Sequence, residues 1–364
     1  VDDDGPTPTP PISALRPPSS YTLPPDDDPS ILLGDRYLNR GDAAVLSSTS
    51  GMGKSSMSIQ MAYHWALGRD FFGIKCQTPL RSLIIQSEDS DGDVAEICTS
   101  IAHVLALTPT DLAIIDDRIR IVSERVARGS KFIASLRQHI AAHKPDLVII
   151  NPLQAFMDGD VTDARDLGRF LREELNSLNT PPSFAYVVVH HTTKPSTGKD
   201  RNDRQWHEVM YDMAGGAEII NWARAIMSLR AAEEPGDFNL ILAKRGRRAG
   251  VTQRIEDGLN TRIEPVTTLP LRHAKGFIPK PPGRKKDLPI IFWESRTPSS
   301  APAKPAKGGR PERFTMDIFR PAFPSWNQKH EQPQLIHRKA QSLKSIELSQ
   351  FKAFCVKCHE EGML

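Results

Sequence analysis

Ser47-Ser48-Thr49-Ser50-Gly51-Met52-Gly53-Lys54-Ser55-Ser56 decides how this chain is read. A short apolar run, Ala43-Ala44-Val45-Leu46, precedes it, and a helical pattern starts near Lys54. Strand, glycine-rich loop and helix in that order make the setting of a phosphate-binding P-loop. Gly51 and Gly53 allow backbone N–H groups to converge on a phosphate chain without a Cβ in the way. Lys54 offers a point charge for the outer phosphates, and the Ser55 hydroxyl suits Mg2+. Ser50, Met52 and Ser56 complete the expected cradle, and the helix N-terminus adds orphan donors and a favourable dipole. The full spacing G-x-x-x-x-G-K-[S/T] would put glycine where Ser48 stands. An ordinary glycine-rich turn is the bland alternative.

Apolar runs and amphipathic stretches alternate outward from this loop. A helix is expected over Ser55–Leu67, a strand over Ser82–Gln86, a helix over Asp93–Leu105 and a strand over Arg120–Val122. Helix Lys131–His143, strand Leu147–Ile150, helix Asp163–Leu178 and strand Ala185–Val189 follow. Strands near Ala225–Leu229 and Asn239–Ala243 close the set. Leu147–Ile150 is apolar throughout, as in a strand covered on both faces. Repeated βα units imply an α/β fold with a mostly parallel sheet flanked by helices.

The rest of the chain reads differently. Residues 1–30 hold two Asp triplets among prolines and are expected to be a disordered acidic tail. The ATPase-like core is expected over 31–265. Residues 266–312 read as a basic, Pro-rich linker with a short structured island at Ile290–Trp293. Residues 313–364 read as a small helical piece, in the order of a helix-turn-helix or winged helix, with an oligomerisation tail as the alternative. Net charge is only +3, yet residues 271–364 carry eighteen Lys/Arg against eight Asp/Glu. Such asymmetry points to an anionic partner, nucleic acid first; a solvated linker is the plainer reading.

The apolar fraction of 39% and charged fraction of 25% fit a globular protein. No apolar run approaches a membrane span, so no membrane partner is expected, and the N-terminus is unlike a signal peptide. Cys76 and Cys98 are isolated in sequence, which fits a reducing, cytoplasmic setting. Cys355-Val356-Lys357-Cys358-His359 matches haem-attachment spacing by accident. A Zn2+ site there would draw on His337 and His359, and Cys residues packed inward on a helix are the simpler account.

Hydrolysis needs more than a P-loop. The strand Leu147–Ile150 ends in Asn151, where a carboxylate orienting Mg2+ is expected. An amide can accept from a metal-bound water through Oδ1 but brings no charge; a mere strand cap is the alternative. Ser87-Glu88-Asp89 ends another strand, and strand C-termini meet at the ligand edge. Glu88 is the candidate base, set to lie beside the outer phosphate if its strand neighbours the P-loop strand, and Asp89 is a candidate metal ligand. A helix N-cap is the rival reading, since Asp91 and Asp93 crowd the same turn. His190 and His191 leave the end of Ala185–Val189. Neighbours on a strand point to opposite faces, so they should not share a metal; one can sense a phosphate, or both can be structural. Arg224 precedes a strand, and Lys244-Arg245-Gly246-Arg247-Arg248 is a basic turn. These cations suit arginine fingers, contacts to nucleic acid, or a solvated turn.

Taken together, Leu33–Ser56, Ile84–Asp89, Pro145–Phe156, Val187–Lys194 and Ala214–Leu229 resemble the RecA-like ATPases of the RepA-type hexameric replicative helicase family of plasmids, phages and mobile elements. The resemblance covers about Leu32–Val251. It implies a RecA-like P-loop NTPase core, ATP and Mg2+ at subunit interfaces, a homo-oligomeric ring with a hexamer as its model, and single-stranded DNA in the channel. By position it implies Lys54 and Ser55 on phosphate and Mg2+, Glu88 as catalytic glutamate, and His190 or His191 as γ-phosphate sensor. It further implies Arg224 as a finger acting in trans, with Lys244 and Arg245 matching a basic turn of similar use. Ser48 and Asn151 depart from the family pattern, and the second puts strong hydrolysis in doubt. The expected function is an ATP-hydrolysing, DNA-acting motor of the replicative helicase type. The alternative is a nucleotide-gated DNA-binding, loading or regulatory ATPase slowed by Asn151.

Overall fold

The computed structural model describes residues 15–192, 208–257 and 260–296, all within the first of two units, Val1–Thr297. Thr193, Lys194, Cys355, Cys358 and the expected C-terminal helices lie outside the described residues. Residues 15–30 carry no buried side chain.

The chain enters through β1 (Ile31–Leu33) and β2 (Leu38–Asn39), then β3 (Ala43–Ser48), the glycine-rich loop and α1 (Lys54–Ala66). Next come β4 (Ser82–Gln86), α2 (Asp91–Val104), α3 (Pro109–Arg118), β5 (Ile119–Ser123), α4 (Gly129–His143) and β6 (Leu147–Asn151). After α5 (Ala164–Arg169) follow β7 (Ala185–His191), α6 (Gly216–Trp222), β8 (Ala225–Ala231) and β9 (Asp237–Lys244). The described chain ends through the hairpin β10 (Thr252–Asp257) and β11 (Asn260–Pro265), then β12 (Thr268–His273), β13 (Phe277–Ile278), β14 (Leu288–Pro289) and β15 (Trp293–Ser295).

Nine strands form one sheet in the order β15-β12-β9-β8-β3-β7-β6-β4-β5. The six from β8 to β5 run parallel, and β9, β12 and β15 extend it antiparallel. This is an α/β fold with a mostly parallel sheet, consistent with a RecA-like P-loop core. Alternation along each strand divides the core. Ala44, Leu46, Val187, Val189 and Ile149 pack with Met57, Met61 and Trp65 of α1 on one face. Val45, Val188, Val148 and Ile150 pack with Phe132, Phe170 and Trp222 on the other. Burial on both faces explains the unbroken apolar runs in β3, β6 and β7.

Two expectations need correction, one condition is not met, and one helix was not expected. The helix expected over Asp163–Leu178 stays α-helical only to Arg169, then widens into a π-helix over Phe170–Leu175 and a 3-10 turn. The wide turn, with its i to i+5 repeat, lets Phe170, Leu171 and Leu175 all enter the core. Helix α3 went unanticipated, although Thr108-Pro109-Thr110-Asp111 announces it: Thr108 and Asp111 form a reciprocal capping box with proline at N1. β4 does not neighbour the P-loop strand, since β7 and β6 stand between them. Finally, the segment expected as a linker from 266 is folded over its described part, well beyond the expected island at Ile290–Trp293. β12 and β15 join the main sheet, and Leu271 and Trp293 are fully buried. Long-range apolar anchors override the Pro- and Lys-rich composition between them.

Among the described residues, no helix is long and apolar enough to cross a membrane. Cys76 and Cys98 are free thiols.

Candidate nucleotide-binding site

All parallel strands end at one edge of the sheet, and the loop after β3 lies there. Gly51 and Gly53 hold φ of 76° and 79°, the left-handed region open to glycine. Ser48 is the last residue of β3 and takes no such conformation. A glycine is therefore not required at that position, and the departure from the usual spacing costs the loop nothing. Gly51 has open space where a Cβ would sit, leaving its backbone approachable. Gly53 caps α1, whose first N–H groups point into the loop.

Beside the loop lies a cavity of about 340 Å3 lined by residues 50–56 together with Glu88, Asp89, Asn151 and His191. Lys54 is nearly buried. Its Nζ donates to Ser48 O at 3.3 Å, Ser48 Oγ at 3.1 Å and Thr49 O at 2.9 Å, and lies 3.3 Å from His191 Nδ1. Burial pushes the Lys54 ammonium down to about 8, opposed by the negative charge of Glu88. His191 in turn has Nε2 at 3.8 Å from Glu88 Oε1. Burial and the Lys54 charge lower its pKa, and the ring lies between Lys54 and Glu88.

Glu88 reaches this site although its strand lies three places from β3. The turn after β4 carries it across, leaving its carboxylate half exposed. The rival reading as a helix cap is met by other residues. Ser90 and Asp93 form the capping box of α2. Asp89 anchors its turn through its backbone, accepting from Gln86 and Arg125 side chains. Its Oδ2 is buried and has no hydrogen-bond partner among the described residues.

Asn151 is almost fully buried at the end of β6, and its Nδ2 donates to Ser55 Oγ at 2.9 Å. The amide presents its donor end to Ser55, the hydroxyl expected on Mg2+. Ser56 Oγ is also engaged within the protein, donating to Gly53 O at 2.9 Å. Of Ser56, the backbone N–H is the part available to phosphate.

His190 does not join the site. It lies on the opposite face of β7, fully buried, with Nε2 at 2.7 Å from Ala214 O. Burial pushes its pKa down to about 4, so it stays neutral. Strand parity separates the two histidines, and His190 is structural.

The three cations expected as fingers also stand apart. Arg224 N donates to Ala43 O, which puts Arg224 at the start of β3, on the edge opposite the P-loop. The length of β3 separates those edges by roughly 17 Å. The Arg224 side chain is 60% exposed, and its guanidinium lies 3.7 Å from Asp42. Arg245 shares Asp42 at 3.5 Å. Lys244 is corrected outright: Nζ donates to Ile220 O at 2.6 Å and Ala223 O at 2.7 Å, capping the C-terminus of α6. Its charge is held inside the fold and is not free to reach a phosphate.

The site suits a nucleotide carried with a divalent cation. Lys54 shares the cavity lining with Glu88, Asp89, Asp93 and Glu96, so a bare polyphosphate would meet repulsion from several carboxylates. Ser55 Oγ is the loop atom able to take such a cation, and the Asp89 carboxylate would have to turn outward to join it. Among the described residues no cluster of three His, Cys, Asp or Glu could hold a metal alone. Phosphate oxygens and water would supply the other ligands.

No curated protein matches the chain. Residues 22–197 match the family model of the AAA domain, a span holding the P-loop, Glu88, Asn151 and His191 but ending before Arg224. Similar to the AAA domain over that span and built on the sheet and loop described above, the chain carries a P-loop nucleotide-binding ATPase domain.

Proposed function

We propose that this protein is an ATP-hydrolysing, DNA-acting motor of the replicative helicase type, working as a ring of identical subunits with Mg2+-ATP between neighbours. Within one subunit, Glu88 would position the attacking water, Lys54 would hold the outer phosphates, and His191 would sense the γ-phosphate. One observation carries the reading. The cavity is lined by no arginine among the described residues, while Arg224 is exposed on the far edge of the same sheet. Phosphoryl transfer develops charge that an arginine stabilises. Arg224 can supply it only to a second copy. Its held partner Arg245 would then steady Asp42 rather than reach across.

The test is the ATPase rate with and without single-stranded DNA, read beside the oligomer mass with ATP. A DNA-stimulated rate and a multi-subunit mass are expected. A monomer whose rate ignores DNA would sink the motor.

A second reading rests on the Asn151–Ser55 hydrogen bond. With an amide beside the metal-side hydroxyl, the protein would be a nucleotide-gated DNA-binding or loading ATPase with slow turnover. Asn151→Asp is expected to lower the Mg2+ concentration for half-maximal nucleotide binding about tenfold, because a carboxylate adds charge beside the cation. Turnover of the same variant separates the readings. A sharp rise marks the amide as a brake and favours gating; a fall marks a site built around the amide.

A further inference from the structure

Trp293 lies far along the chain from the P-loop, outside the span matched to the AAA domain, and is fully buried against the loop. Its indole Nε1–H sits between Gly53 O at 3.3 Å and Ser56 Oγ at 3.1 Å. Its backbone is gripped as well. Trp293 N donates to Gln60 Oε1 and Trp293 O accepts from Gln60 Nε2, both at 2.8 Å. Ser56 and Gln60 are four residues apart and so share one face of α1. One residue of β15 thus staples the first two turns of the helix through its side chain and its main chain together.

The ring is braced from behind. His273, its register partner on β12, lies over it with centroids 3.9 Å apart, and Phe238 meets its edge at 5.0 Å. Contact with the loop is tight: a Cβ on Gly53 would fall 2.9 Å from Trp293 Cζ2 and 3.2 Å from His273 Cε1. Gly53 is therefore fixed by two demands, a positive φ and the absence of a side chain against this ring.

We infer that Trp293 is a positioning residue of the nucleotide site. The groups it fixes are the Gly53 carbonyl and the Ser56 hydroxyl, which frame the N–H groups at the start of α1. Those N–H groups bind phosphate only when held in a common direction. A loop left to order itself on binding spends part of its affinity on that ordering. The antiparallel extension β12–β15 is then part of the nucleotide site and not an appendage to it. This inference rests on the P-loop binding nucleotide.

Trp293→Phe keeps an aromatic ring in the β15 core and removes the two contacts of Nε1–H. Titration with ADP carrying a fluorescent ribose label should give a Kd about tenfold higher than wild type, equivalent to about 1.4 kcal/mol. The rate at saturating ATP should change by less than about twofold, since the loss falls on ground-state binding. The nucleotide-induced change in tryptophan emission, expected in wild type, should shrink, with Trp65 of α1 still present. Gln60→Ala keeps the indole and releases the backbone grip, and it should raise Kd in the same direction if Trp293→Phe fails to fold. Variants that bind as wild type does, or lose affinity only in step with loss of folded protein by circular dichroism, overturn the positioning role. Wild type that fails to bind the labelled ADP overturns the nucleotide reading itself; wild type that binds while the variants are unaltered overturns this inference alone.

Discussion

Lys54→Ala is expected to weaken ATP and ADP binding by about 100-fold, the loss of a desolvated, charge-assisted contact to phosphate. The reason lies in how the lysine is held. Its ammonium is nearly buried and rests on carbonyl and hydroxyl oxygens of Ser48 and Thr49, which release it readily to a phosphate oxygen. Isothermal titration with ADP checks the effect, and retention of wild-type affinity would refute the assignment.

The same lysine gives a pH signature. Burial pushes its pKa down to about 8, while a bound phosphate favours the charged form. Nucleotide affinity should therefore hold below pH 8 and fall as pH rises above it. Stability of the ligand-free protein should move the other way. Between about pH 8 and the ordinary lysine pKa, the unfolded chain retains a proton that the folded chain has lost. Unfolding then takes up protons, so stability rises with pH through that window, by up to about 3 kcal/mol. Both trends should flatten in Lys54→Ala. A wild-type affinity that ignores pH between 7 and 9.5 would show that the lysine is not the phosphate ligand.

Glu88→Gln is expected to lower turnover about 1,000-fold, within the range for loss of a general base, while nucleotide binding changes little. The glutamine preserves shape, and the half-exposed side chain carries no packing role. It also removes the negative charge that holds the Lys54 pKa up. The fall of affinity with pH should accordingly begin at lower pH in this variant. A turnover loss below tenfold would exclude Glu88 as the base. If turnover falls and the pH profile stays put, Glu88 acts on water without coupling to Lys54.

Much of the site can be read from local sequence because its chemistry is local. Ser47–Ser56 specifies a turn with two left-handed glycines, a lysine and a serine, all within one strand–helix junction. The apolar runs of β3, β4, β6 and β7 mark strands buried on both faces, and they end at Ser48, Gln86, Asn151 and His191. Parallel strands bring their carboxyl ends to one edge, so Glu88, Asn151 and the histidines were bound to gather near the loop. That much follows from period and strand direction.

The tertiary structure decided the rest, because it depends on register, strand order and edge. Which histidine faces Lys54 turns on the pairing Ser48 with His191, a register between strands more than a hundred residues apart. Arg224 and Lys244 look alike as cations flanking strands. Arg224 stands at the start of β8, parallel to β3, and only the antiparallel course of β9 brings Lys244 to that same edge, where the end of α6 claims it. Trp293 sits in a Pro- and Lys-rich stretch whose composition argues for a linker; a buried indole and the Gln60 amide, joined across the whole domain, override it. The sequence alone marked a phosphate-binding type of loop at the end of β3. Long-range packing determined which side chains line the cavity, which lie at the far edge of the sheet, and what holds the loop in place, since no local period encodes contacts made across two hundred residues.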